Sequence, residues 1–181
     1  MCYTAQGDLM KKLIATSALL TVMISCSHDH AAKNFSDGQV SKILTTRNDG
    51  EVLLARHVIA NSKNADVKEF AQHMIDDHGL NDVKKSGILT AESIEQEDSW
   101  KSNELQNEII ESQNKLLPLK DKALDVAYID DQIEIHEGMI EGIKTNLIPV
   151  AKEPSLKKHL ELTVKKDEIH LQHAKFVRSN L

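Results

Sequence analysis

Five residues able to ligate a metal or exchange a proton fall on apolar helical stripes: Glu51, His78, His136, Asp167 and His170. In Phe70–Leu80, helical spacing puts Ala71, Met74 and His78 on one face with Val67, beside the acidic pair Asp76 and Asp77. His136 fills the one gap in the stripe Val126, Ile129, Ile133, Ile140, Ile143, Leu147. Asp167 and His170 lie three residues apart on the face of Leu156, Leu160, Leu171, Ala174 and Val177, and Glu51 falls within the stripe Val40, Leu44, Ala55, Val58, Ile59. A ring or carboxylate buried without a partner is costly, so each of these side chains needs one. Carboxylates and neutral imidazoles are together ligands for iron, manganese or zinc, here a single ion. The same residues could instead form a metal-free polar layer that fixes helix register, with Glu51 hydrogen-bonded to His78 or His170.

Four long helices must position them. The first is expected over about 38–62 behind the cap Ser36-Asp37, with Gly50 interrupting it. The second runs over about 65–85 and is ended by Ser86-Gly87. The third spans about 121–148 between Pro118 and Pro149, and the fourth about 155–179 after Pro154. A shorter helical piece is expected over about 104–117, after a mixed, acidic loop at 88–100. Four helices with one apolar face each make an up-down-up-down four-helix bundle, with an extra helical segment between the second and third main helices. With the first–second and third–fourth turns at one end, the five residues lie at similar depths, roughly 16 to 23 Å at ~1.5 Å per residue. The remaining histidines, His57, His73, His159 and His173, project toward flanks or solvent. Tyr128 is expected at a rim, Trp100 in loop packing, and Asp130 and Asp131 in water.

Composition agrees with an all-α domain. The 181 residues are 40% hydrophobic but only 3% aromatic, with few β-branched alternations, so the core is aliphatic. The net charge of -6 is dispersed, and no basic stripe with interleaved aromatics marks a nucleic-acid partner. Both cysteines, Cys2 and Cys26, precede the folded region, so thiol redox catalysis is excluded there. No glycine-rich phosphate loop, nucleophile elbow or cysteine–histidine zinc pattern occurs.

Met10-Lys11-Lys12 followed by the short apolar run Leu13–Ile24 has the layout of a secretory signal. Met23-Ile24-Ser25-Cys26 resembles the bacterial lipobox, with Met23 at the position usually held by leucine. The expected organisation is an upstream extension and signal at 1–25, lipidated Cys26 and a polar tether with His28 and His30 at 26–36, and the bundle at 37–181. Lipidation would place the protein in the cell envelope, outside the cytoplasm, with the membrane as its partner through Cys26.

Gly50-Glu51-Val52, Val67-Lys-Glu-Phe-Ala71, Met74-Ile-Asp-Asp-His78, Tyr128 with His136, and His170 together resemble the bacterial domain of unknown function family 4142 over about residues 37–178. The resemblance implies an all-α, ferritin-like four-helix bundle and a secreted or envelope-anchored protein, with no assigned activity. The chain departs from the di-iron ferritin pattern, which takes Glu from two helices and Glu-x-x-His from two others. The fourth helix offers Asp167-x-x-His170 and the second only Asp77-His78, so one metal fits better than two. The function expected is an envelope lipoprotein binding a metal ion, in metal homeostasis or stress tolerance. The alternatives are an interaction module with a purely structural layer and, last, a metal-dependent oxidase.

Overall fold

The computed structural model describes residues 34–181. The expectations for the signal segment, Cys26, His28 and His30 lie outside the described residues. Five α-helices follow in order: α1 Asp37–Asn61, α2 Ala65–Ala91, α3 Trp100–Leu116, α4 Asp121–Gly142 and α5 Pro154–Ser179. A π-helical turn, Ile143–Leu147, continues α4. No strand occurs among the described residues.

The helix starts follow local chemistry. Ser36 Oγ accepts from the Gln39 amide at 3.1 Å while Gln39 Oε1 accepts from the Ser36 amide at 3.2 Å, a capping box that satisfies two amides otherwise left without partners. Asn64 Oδ1 accepts from the amides of Asp66 and Val67 at the start of α2. Pro154 opens α5, where its missing N–H costs nothing.

Helix direction alternates through all five helices. At one end Lys63, after α1, pairs with Asp121 at the start of α4 at 2.7 Å. At the other, Asp37 accepts from the amides of Lys152 and Glu153 in the α4–α5 turn at 2.8 and 3.0 Å. The α1–α2 and α4–α5 turns therefore lie at opposite ends, not together as the depth count assumed, because the extra segment is a full helix that reverses direction once more. α1, α2, α4 and α5 enclose the core, and α3 lies along α1. Gly50 is no interruption. A Cβ there would sit 2.4 Å from Ile109 Cδ1, so the glycine lets α3 press onto α1.

α2 does not stop at Ser86-Gly87. Lys85 and Leu89 stay buried and draw the helix on to Ala91. It ends where Ser93 adopts a left-handed φ of 53° and the Ile94 amide donates to the Leu89 carbonyl at 2.9 Å. This is the closure glycine usually provides, supplied by serine. α3 also begins earlier than expected, because Ser99 and Ser102 form a cap.

The interior has two apolar clusters. The upper one gathers Leu54, Val58, Val67, Phe70, Met74, Tyr128, Ile129 and Val177. The lower one gathers Val40, Leu44, Leu105, Ile143, Leu147, Leu156 and Leu160. Tyr128 is fully buried within the upper cluster, with its ring 6.0 Å from that of Phe70, rather than at a rim. Asp131 is buried beneath Lys115, 3.3 Å away, rather than solvated.

Candidate metal centre

Between the two clusters lies a polar layer. α2 contributes His78, α4 His136, and α5 Asp167 and His170, all buried. One ligand atom from each lies within 4.8 Å of the other three. Ring centroids are 5.4 Å apart for His78–His170 and His136–His170, and 6.0 Å for His78–His136. The helical stripes bring this about: each residue takes the place of an apolar one in its helix's inward repeat.

Each imidazole is held at one nitrogen by an oxygen that can only accept. His78 Nδ1–H donates to Asn48 Oδ1 at 3.1 Å, and Asn48 turns its own Nδ2 toward Asp82 at 3.4 Å. His136 Nδ1–H donates to the Gln132 carbonyl one helical turn back at 2.8 Å. His170 Nε2–H donates to Asp77 Oδ2 at 2.9 Å, and Asp77 also meets Lys166 at 3.1 Å. An acceptor on one ring nitrogen leaves the lone pair on the other. Those other nitrogens, His78 Nε2, His136 Nε2 and His170 Nδ1, are buried and find no hydrogen-bond partner among the described residues. Three tautomers fixed from behind, with three lone pairs converging on a carboxylate, is the arrangement that outer hydrogen bonds give metal-ligating histidines. Tetrahedral bonds of about 2.0–2.1 Å set ligand atoms about 3.4 Å apart, so the four groups would close inward from a span of up to 4.8 Å.

The electrostatics agree. Burial pushes the His78 imidazole down to about 3 against some help from Glu51, and His136 down to about 4. Burial also lowers His170, partly offset by Asp77. All three are neutral at pH 7, the form that coordinates. Burial lifts the Asp167 carboxyl to about 7, so it holds or releases a proton near neutrality.

Glu51 sits at the same level on α1 but outside the four-atom set. Its Oε1 accepts from Arg47 Nε at 3.0 Å, both residues being buried. Burial raises the Glu51 carboxyl, but Arg47, His136, His78 and the neighbouring Gln132 outweigh it and hold the group below its usual value. Neither His78 nor His170 is its partner, contrary to the register-layer expectation. A buried arginine four residues upstream supplies the pairing instead, a spacing that places both on one helix face.

Sequence reasoning missed Arg47 and Asn48, and singled out Asp77 beside His78 without foreseeing its bond to His170. Asn48 was accessible: it continues the Leu44–Glu51 stripe. His159 was expected at a flank but is buried, its Nε2 unpartnered among the described residues. It neighbours Lys85, a fully buried amine bonded to Thr45 and Asp82. His73 is exposed as expected, and His57 and His173 are half-buried.

The apoprotein should lose stability on mild acidification. Where the folded imidazole pKa lies below 6.5, the unfolded chain takes up the proton first, so stability falls as pH drops through that value. Asp167 acts oppositely: its raised pKa makes the folded state bind a proton first as pH falls from 7. Three imidazoles outweigh one carboxyl. Urea midpoints of chelator-treated protein should drop from pH 7 to pH 5 by the equivalent of about 1–3 kcal/mol per unit. An unchanged or higher midpoint at pH 5 would contradict the buried, neutral imidazoles.

Comparison with known proteins gives the family. No curated protein matches the sequence. Among solved structures, a DUF305 protein from Streptomyces coelicolor, described as a candidate secreted protein, superposes with a TM-score of 0.64 at 14% identity, covering 76% of this chain and 88% of that one. At that identity the likeness is one of fold, the all-helical bundle. A family model described as "Domain of unknown function (DUF4142)" matches residues 25–177, and with the match spanning most of its length the chain belongs to the DUF4142 family.

Proposed function

We propose that this is an envelope protein that binds a single transition-metal ion between its helices and serves metal homeostasis or stress tolerance. The observation that carries the reading is the set of three buried, unpartnered imidazole nitrogens aimed with Asp167 at one point. Iron, manganese and zinc are the candidates, and a majority of imidazoles ranks zinc and iron above manganese. Four protein ligands make a closed site suited to holding an ion rather than to turnover, which needs an open position. Elemental analysis of untagged protein tests the reading. About one metal per chain is expected in the parent and none in a His78→Ala, His136→Ala variant. Metal-free parent that gains no metal on incubation with the three ions would leave the layer purely structural.

The envelope part rests on Lys11-Lys12, the apolar run and Ser25-Cys26, and accords with the description of the Streptomyces coelicolor protein of similar fold as a candidate secreted protein. Among the described residues no helix is long and apolar enough to cross a membrane. In this reading acyl chains on Cys26 hold the protein to the membrane. Cys26→Ser should move the protein from the membrane fraction to the soluble envelope fraction. Parent protein already soluble and unacylated by mass spectrometry would end the anchor proposal.

A further inference from the structure

We propose that the groove between α3 and α4 binds an amphipathic cation, a molecule with an apolar chain and one ammonium-type head. This site is separate from the metal centre and does not depend on it. The half-open groove holds about 630 Å³, within the size range of small-molecule sites. Its floor is apolar: Ile43 from α1, Leu105 from α3, Ile135 and Met139 from α4, and Ile143 and Leu147 from the π-helical turn.

Three features show why the space exists. α3 is drawn toward α1 by the Gly50–Ile109 contact, which leaves it standing off α4. α4 lines the groove with Gly138 and Gly142, and a Cβ at either would meet nothing within 4 Å. Glycine is the residue least suited to a helix interior after proline, and here two stand one turn apart with no neighbour that requires their smallness. The π-helical turn, a feature frequent at functional sites, follows directly and supplies two of the floor residues.

The charges select the ligand. Every cation on the groove wall has its own counter-ion: Arg47 pairs with Glu51, Lys101 with Glu104 and Glu108, and Lys115 with Asp131. Glu111 and Glu134 line the rim with no ion pair among the described residues. An apolar floor beneath two uncommitted carboxylates favours a positively charged head over an anionic one. Trp100, the chain's single tryptophan, stands at the lower mouth with its ring 5.8 Å from Phe35 and reports directly on occupancy.

The test titrates the full chain carrying Cys26→Ser with dodecylamine and with dodecanoate, below their micelle concentrations, while following Trp100 emission. Dodecylamine should give a saturable change with one molecule per chain. It should bind at least tenfold tighter than dodecanoate at low salt, with the gap narrowing as salt rises. Gly138→Leu with Gly142→Leu fills the groove where nothing stands in the way, and should weaken binding more than tenfold while the melting temperature holds or rises. Glu111→Gln with Glu134→Gln, at exposed positions, should remove the preference for amine over acid. The proposal is overturned by the absence of a saturable response, by tighter binding of dodecanoate, by a folded leucine variant that binds like the parent, or by an unchanged preference in the glutamine variant.

Discussion

Zinc or ferrous iron should raise the melting temperature of the parent protein and leave that of His78→Ala where it was. An ion at a free concentration 100 times its Kd adds about 2.7 kcal/mol to the folded state. For a domain of this size that corresponds to roughly 5–10 °C. His78 supplies one of three converging lone pairs, so its loss opens the site and leaves a cavity as well. The apo variant will therefore melt below the apo parent whether or not metal is a ligand. The discriminating quantity is the metal-induced shift, which should vanish. Asn48→Ala provides a finer probe, because it removes no ligand but frees the ring that Asn48 orients, with loss of its bond to Asp82 as well. It should weaken metal binding by about 10–100-fold. Equal shifts in parent and His78→Ala, or none in either, would remove the metal from the account.

Arg47→Met should be the most damaging single substitution in the layer, costing about 3–5 kcal/mol, because it strands the buried Glu51 carboxylate without its cation. Arg47→Met combined with Glu51→Leu removes both charges and should recover most of that loss, since apolar replacement of a whole buried pair is often neutral. Chemical denaturation of the parent, the two single variants and the double variant closes the cycle. Additive losses would show that the two side chains do not depend on each other. The double variant should also retain metal, because neither residue belongs to the four-atom set.

The inward residues were legible because each occupies an apolar position in a helical repeat, and periodicity survives errors in topology. The depth count used the wrong end for α4 and α5, yet reached the correct level. The layer stands near mid-height, and either end gives a similar distance. The helix boundary at Ser86-Gly87 misled because glycine is a stop signal only when the chain needs a left-handed residue there. Burial of Lys85 and Leu89 carried α2 past it, and Ser93 took that conformation instead. Glu51 was placed inward correctly but given the wrong partner. A charge pattern does not say whether Arg47 folds over the helix into the core or reaches into solvent. The tautomers of His78, His136 and His170 were beyond sequence reasoning altogether, since they depend on Asn48, a backbone carbonyl and Asp77 coming within reach from particular directions.

α3 lies along α1, touches α4 lightly and supplies none of the four ligand atoms. An ion in the layer would cross-link α2, α4 and α5 while leaving α3 attached by its packing on α1 and the Lys115–Asp131 pair. Local opening follows the weakest attachments of a fold. Amide hydrogen exchange should therefore slow on metal binding in the helices that carry ligands, while α3 goes on exchanging at its metal-free rate.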